Sequence, residues 1–228
     1  MSIKRYVATA DNTITNAYVS NLRTRGTGSN MGASDILEVV HIYGQESSSS
    51  SENARILIQF PTNKIATDRT GGIIPASGSV NFFLRLYNAK HSQTLPQNFN
   101  LLVTAVKSHW EEGNGLDMEE FSDLTYDITG SNWANRAVST AWTKAGGDFI
   151  KDVSSSFSAS FTTGVEDMEL NITTLVEQWV NSAGNVLGSK SNYGVGVYLS
   201  DANEVASGSY YTKKFFARGT EFFFKRPV

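Results

Sequence analysis

The segment Tyr193-Gly194-Val195-Gly196-Val197-Tyr198-Leu199 alternates strictly, so that every second residue from Tyr193 onwards falls on one face of an extended strand. Three further stretches have the same period of two: residues 55–60 (RILIQF), 82–87 (FFLRLY) and 101–106 (LLVTAV). These short runs are rich in β-branched and aromatic residues, which favour strands. Many such strands joined by long polar connections are typical of a sandwich or a barrel. The sequence therefore predicts an antiparallel all-β fold.

One short helix interrupts this pattern. Thr174-Leu175-Val176-Glu177 has the form of a capping box, in which the Thr hydroxyl and the Glu carboxylate each satisfy a backbone N–H of the first turn. Apolar residues then recur on one side of the helix, and Asn181 and Gly184 supply stop signals. We predict a helix near residues 174–181 that lies across one end of the sandwich and closes its core.

Composition excludes several classes of protein. The 228 residues include 19 Lys and Arg against 22 Asp and Glu, a net charge of −3, and no Cys. Disulfides and thiolate metal sites are therefore absent, and neither nucleic acid nor an anionic membrane is an expected partner, because both require a basic surplus. No apolar run reaches the length of a bilayer span. We predict one β-sandwich domain over residues 1–228, and leave open a native chain that continues beyond Val228.

The N-terminus carries Met1 and no apolar stretch of the secretory kind. This pattern favours a protein that stays in the cell where it is made. The alternative is an extracellular fragment whose signal was removed.

No pattern points to catalysis. His41, His91 and His109 are scattered without a second His at ligand spacing, which argues against a zinc site or a catalytic triad. Acidic residues are concentrated in one stretch: Glu111, Glu112, Asp117, Glu119, Glu120, Asp123 and Asp127. A solvated loop is the favoured interpretation, with calcium as the alternative because its ligands are oxygens. We predict a non-enzymatic protein with no catalytic residues and no required cofactor, and leave calcium open.

Three of the four tryptophans lie in or near this acidic stretch. Flat aromatic rings beside carboxylates are typical of sugar-binding surfaces, since the rings cover the C–H faces and the carboxylates take the hydroxyls. Tryptophan also fills cores, and that interpretation is favoured here. The candidate carbohydrate-binding residues are Trp110, Glu112, Asp117, Trp133 and Trp142.

A series of short motifs resembles the jelly-roll family called DNRLRE, also described as disaggregatase-related. The opening Ala10-Asp11-Asn12, the turn Asn30-Met31-Gly32-Ala33-Ser34 and the strand from Ala54 to Phe60 are similar to the start of that family. The remaining correspondences follow in order along nearly the whole chain: residues 83–87, 103–106, 110–115, 132–135, 142–148, 172–179, 192–197 and 215–221.

The resemblance implies a β-sandwich of jelly-roll type without general catalysis. Some members are virion proteins of phages, which lack a secretory signal. It therefore implies a structural protein of a phage particle, as a capsid decoration or a tail or fibre component, located in the virion and acting through homo-oligomeric contacts and contacts with other virion proteins. Tyr210 and Tyr211 are its predicted protein contacts. The alternative is a carbohydrate-binding module that recognises a polysaccharide, such as a host glycan.

Overall fold

The computed structural model describes residues 3–91, 96–116 and 129–228. Within these ranges the chain forms two α-helices, α1 (Thr62–Thr70) and α2 (Thr173–Val180). The twelve strands of the same ranges are β1 (Ala10–Thr15), β2 (Ile36–Tyr43), β3 (Ser51–Gln59), β4 (Phe83–Leu86), β5 (Phe99–Val106), β6 (Asn135–Ala137), β7 (Thr140–Ala141), β8 (Phe149–Ile150), β9 (Ser156–Phe161), β10 (Met168–Asn171), β11 (Val195–Leu199) and β12 (Tyr210–Phe216).

In one large antiparallel sheet, β12 pairs with β2, both β2 and β11 pair with β3, and β11 pairs with β5, whose other edge carries β8 and β9. Strand β1 pairs with β3 along residues 54–59. The opposite edge of β3 is divided, because residues 51–54 pair with β2 whereas residues 56–58 pair with β11. A strand that changes partner along its length bends the sheet around it. The large sheet is therefore curled.

The two-stranded sheet β4–β10 covers the concave face of the curled sheet. Leu84, Leu86 and Met168 from this pair are at most 2% exposed and belong to the same core cluster as Ile56 and Val197 of the large sheet. Apolar residues that alternate along each strand thus point between two layers, as the period of two requires. The predicted antiparallel β-sandwich of jelly-roll type is confirmed.

Helix α2 occupies the predicted place at one end of the sandwich. Leu175, Val176 and Trp179 pack into the main core. The predicted capping box is wrong, because the residue before the helix is Ile172 and the side-chain oxygen of Asn171 accepts the N–H of Thr173 (3.0 Å). Both side chains bond to other parts of the fold instead. The Thr174 hydroxyl donates to the carbonyl of Ser154 (3.0 Å), and the Glu177 carboxylate accepts from the guanidinium of Arg69 (2.7 Å).

Helix α1 lies beside α2 and was not predicted, since its sequence TNKIATDRT has almost no apolar side. Tertiary contacts hold it in place. Arg69 of α1 makes a bidentate pair with Glu177 of α2, with both N–O distances 2.7 Å and both side chains less than a tenth exposed. Among the described residues, no helix is long and apolar enough to cross a membrane.

Candidate functional site

The three tryptophans of the sugar-binding hypothesis form a second, smaller core on the outer face of the large sheet. Trp110, Trp133 and Trp142 are 3%, 9% and 5% exposed and pack with Ile14 and Leu57. The indole N–H of Trp110 donates to the carbonyl of Tyr193 (2.8 Å). The indole N–H of Trp142 donates to the carbonyl of Asn132, also at 2.8 Å. Since their faces are covered by protein, these rings do not offer a surface on which a sugar could stack.

Glu112 belongs to a cluster of charged groups at the edge of this second core. Its carboxylate accepts two hydrogen bonds from Arg218 Nη2 (both 2.8 Å) and one from the backbone N–H of Asp11 (2.7 Å). Asp11 is 1% exposed and accepts the backbone N–H of Arg218 (2.5 Å). Burial raises the pKa of Asp11 to about 7; the Arg218 hydrogen bond opposes the rise and the nearby Glu112 charge adds to it. Asp117 lies outside the described residues.

Several of the segments that resemble the family meet at this cluster. The side-chain oxygen of Asn30 accepts the N–H of Gly115 (2.8 Å), while its amide donates to the carbonyl of Thr129 (2.9 Å). A side chain at Gly115 would overlap the carbonyl oxygen of Asn30, so glycine is required there. The motif residues in residues 10–12, 30–34, 110–115 and 218 therefore hold loops together.

The two predicted protein-contact residues, Tyr210 and Tyr211, differ in burial. Tyr211 is 3% exposed and its hydroxyl accepts the side-chain amide of Asn203 (2.9 Å). Tyr211 lies on the inward face of β12 and belongs to the main core. Tyr210 is half-buried against the small cluster that contains Met31 and Ile42.

Three consecutive exposed aromatic residues follow β12. Phe222, Phe223 and Phe224 are 51%, 72% and 62% exposed. We call these three residues the C-terminal aromatic patch. Cations lie over its rings, with the Arg226 guanidinium 4.3 Å from the centre of Phe223 and the Lys225 ammonium 5.6 Å from that of Phe222.

Backbone hydrogen bonds fix the chain after the C-terminal aromatic patch, and a ring contact with β12 fixes its first residue. After it, the N–H of Ala8 donates to the carbonyl of Pro227 (3.0 Å), and Arg85 and Val228 exchange two hydrogen bonds. Before it, Phe216 of β12 packs edge-on against Phe222 with 5.6 Å between ring centres. The rings are thus displayed on an ordered turn.

A cleft of about 420 Å³ opens on the outer face of the large sheet, beside the second core. It lies among β3, β11, β8 and the turns at residues 143–148 and 201–205, and we call it the outer cleft. Its lining residues are Arg55, Lys107, Thr143, Lys144, Gly147, Asp148, Phe149, Lys151, Tyr198, Asp201, Glu204 and Val205.

The phenyl ring of Phe149 forms the aromatic floor of the outer cleft. It is stacked on the buried ring of Tyr198, with 4.7 Å between centres. The ring lies directly over Gly196 of β11, where a Cβ would approach it to 2.1 Å. Glycine at this position of a strand therefore marks the close approach of the ring. Phe149 itself remains partly exposed towards the cleft.

Charged pairs build the wall of the outer cleft. Arg55 makes a bidentate pair with Glu204 (2.7 and 2.6 Å) and donates to the carbonyl of Gly146 (2.8 Å). The guanidinium also lies 5.0 Å from the ring centre of Trp133, which supports it from behind. Lys151 pairs with Asp201 at 2.9 Å, and the hydrogen bond from Lys151 lowers the pKa of Asp201.

None of the residues that line this cleft was predicted to be a site residue. Phe149 stands in a two-residue strand too short to show periodicity, and Lys107 and Lys144 lie in polar turns. The one signal present was Gly196 inside a β-strand pattern. Sequence spacing alone does not say which ring covers it.

The acidic stretch from Glu111 to Asp127 is the candidate site for calcium. Within the described ranges, no group of three His, Cys, Asp or Glu side chains is placed to hold a metal ion. Five of the seven acidic residues of that stretch fall outside these ranges, so calcium binding stays a prediction. No protein-family model matches this chain, and neither does any curated protein.

Proposed function

We propose that this chain is a non-enzymatic structural protein of a phage particle, which acts through contacts with copies of itself and with other virion proteins. The observation that carries the proposal is the C-terminal aromatic patch. Its role is to contact another protein chain, as a capsid decoration or as part of a tail or fibre.

The C-terminal aromatic patch exposes apolar area that a protein partner can bury. Three adjacent phenylalanines more than half exposed are unusual on a monomer surface, and phenylalanine is enriched at interface centres. Complete burial of a fully exposed Phe side chain contributes roughly 1.5–3 kcal/mol, and half to three-quarters of each of these side chains remains to be buried. Since the backbone of Pro227 and Val228 is already hydrogen-bonded, little conformational entropy is lost when a partner covers the patch.

The resemblance to the DNRLRE family supports the phage assignment, and through it the virion location. The motif residues of that resemblance meet in the cluster of Asp11, Glu112 and Arg218, where they stabilise loops.

Sedimentation equilibrium over a wide range of concentration tests the proposal. We expect the 24.9 kDa chain to form closed oligomers, and the double variant F223S/F224S to sediment as a monomer. V153S/V186S is the matched control, because both valines are at least 94% exposed and lie outside the patch. A chain that stays monomeric and does not rebind to particles stripped of it would overturn the proposal.

A second candidate function is supported by the outer cleft. A carbohydrate-binding module needs an accessible ring and fixed polar groups around it. Phe149 supplies the ring, and the Arg55–Glu204 and Lys151–Asp201 pairs supply the polar groups. The site differs from the predicted one, since Trp133 and Trp142 lie behind this surface. A phage tail protein that recognises a host glycan would combine both functions.

A further inference from the structure

A lysine is buried at the edge of the main core. Lys213 lies on the inward face of β12 and is 1% exposed. Its ammonium group donates to the side-chain oxygen of Asn88 (2.6 Å) and to the carbonyl oxygens of Gly164 (3.0 Å) and Glu166 (2.7 Å). All three of these acceptors are uncharged groups. Burying a cation against uncharged acceptors is costly, so the lysine calls for an explanation other than packing.

Strand register brings Asn88 to this lysine. The chain after β4 runs antiparallel to β12, and a backbone hydrogen bond on each side of the Asn88–Phe215 pair (2.9 and 3.0 Å) holds it there. Side chains that are diagonal neighbours on one face of an antiparallel pair are within reach of each other when one of them is long. Lys213 is the diagonal neighbour of Asn88, so their contact follows from the register.

Two aromatic rings enclose the amine. The Lys213 nitrogen lies 4.9 Å from the ring centre of Phe161 and 5.0 Å from that of Phe215, and both rings are buried in the main core. Burial lowers the pKa of Lys213 to about 8, although the charges of Glu166 and Asp167 oppose this shift. The neutral amine, which is the nucleophilic form, is therefore accessible close to neutral pH.

The side-chain amide of Asn88 is placed for attack by this amine. Because a C=O bond is about 1.2 Å long, the amide carbon lies within about 3.8 Å of the Lys213 nitrogen, close to a near-attack separation. His91 Nε2 lies 3.1 Å from the same amide oxygen and donates to it, since that oxygen is an acceptor only. A donor there stabilises the negative charge that develops on the oxygen during attack. The Asp167 carboxylate accepts the backbone N–H of Asn88 (2.7 Å), so a proton acceptor lies beside the amide.

We infer that Lys213 and Asn88 form an intramolecular isopeptide bond. The neutral amine of Lys213 attacks the side-chain carbonyl carbon of Asn88, while His91 donates to the oxygen of the tetrahedral intermediate. The bond between that carbon and the amide nitrogen then breaks. The carboxylate of Asp167 passes the proton of the amine to the departing nitrogen, which leaves as ammonia. One C–N bond replaces another, so the reaction needs neither an oxidant nor a co-reactant.

The bond joins the two layers of the sandwich covalently. Asn88 follows β4 of the smaller sheet, whereas Lys213 belongs to β12 at the edge of the large sheet. Amide formation also removes the buried charge, and the remaining N–H still has the carbonyls of Gly164 and Glu166 as acceptors. In a chain without Cys, such a bond restricts the unfolded state as a disulfide does. The inference is independent of the proposed contacts between virion proteins.

Intact mass spectrometry of the full chain under denaturing conditions tests the inference. We expect the folded protein, after incubation at pH 8, to be lighter than its sequence mass by one molecule of ammonia. Peptide mapping should then give a branched peptide in which Asn88 is joined to Lys213. Both measurements use the unmodified protein, so they do not depend on whether a variant folds.

Variants assign the reacting groups. K213M removes the amine, keeps an unbranched side chain, and should retain its full sequence mass. K90M is the matched control, because Lys90 is exposed and lies close to Asn88 in the chain, and it should lose ammonia as the unmodified protein does. D167N should slow the loss of ammonia at least tenfold, since proton transfer by a carboxylate contributes a factor of this size or more.

Three results would overturn the bond, and a fourth would overturn its mechanism. A folded, unmodified chain that keeps its full sequence mass forms no isopeptide bond. Equal loss of ammonia in K213M means that the ammonia comes from elsewhere, such as succinimide formation at Asn114-Gly115. A branched peptide that joins Lys213 to a residue other than Asn88 rejects this pair. An unchanged rate in D167N rejects proton transfer by Asp167.

Discussion

Replacing Asp11 with Asn should change how the stability of this protein depends on pH. The Asp11 carboxyl is 1% exposed, and burial raises its pKa from an ordinary value of 3.8 to about 7. A group whose pKa is higher in the folded state stabilises the fold fully below its unfolded pKa. That stabilisation is lost as the pH rises through the folded pKa. Above pH 7, the ionised Asp11 therefore costs the fold free energy.

The size of this free-energy cost follows from the difference between the folded and unfolded pKa values of Asp11. About three pH units separate the two pKa values, and each unit corresponds to about 1.4 kcal/mol, which gives an upper limit of about 4 kcal/mol. Asn has the same shape, carries no charge, and its side-chain oxygen can still accept the backbone N–H of Arg218. We expect D11N to be more stable than the unmodified protein by about 2–4 kcal/mol at pH 8, and to differ by less than about 1 kcal/mol at pH 4.

Urea denaturation followed by tryptophan fluorescence at each pH between 4 and 8 measures the difference. D35N is the control, because Asp35 is exposed and its backbone carbonyl is the group that accepts a hydrogen bond. Stability curves of D11N and the unmodified protein that run parallel across this range would refute the reasoning. A D11N variant that is less stable at pH 8 would mean that attraction between the Asp11 charge and Arg218 exceeds the cost of burial.

Three further substitutions test the packing, with the free energy of unfolding as the measurement in each. Glu177→Ala leaves the Arg69 guanidinium buried without its carboxylate and should cost about 3–5 kcal/mol; a cost of only 0.5–2 kcal/mol would fit a lost cap. Trp142→Ala should cost about 3–5 kcal/mol because it leaves a cavity in the second core. Near-normal stability would contradict the burial of Trp142 in that core. Gly196→Val should cost about 1–3 kcal/mol by displacing the ring of Phe149. An unchanged stability there would mean that the ring does not lie on β11.

Much of the fold was predictable from local patterns. Alternation in residues 55–60, 101–106 and 193–199 identified β3, β5 and β11, because every strand of a sandwich has one face against the core. The apolar side of α2 placed that helix correctly although its predicted cap was wrong. Tryptophan as core filler was the favoured interpretation of Trp142, and its burial agrees with it.

Helix α1 and the charged clusters were not predictable in this way. The segment TNKIATDRT has no apolar stripe, and its helix is held by Arg69 reaching Glu177, which is 108 residues away. Asp11 meets Arg218 across 207 residues. Such pairs depend on the register of strands that are distant in the chain, and a single sequence contains no signal for that register.

The sequence by itself determined that the chain forms an antiparallel β-sandwich, because the period of two is a local property that each strand carries alone. It also determined where α2 lies, since apolar spacing along a helix is equally local. Only the tertiary structure decided which side chains face outward together. Tyr211 is buried and Phe223 is exposed although both are aromatic residues near the end of the chain, because exposure depends on what packs over a residue. The outer cleft likewise exists only because β3, β8 and β11 bring Arg55, Phe149 and Gly196 to one surface.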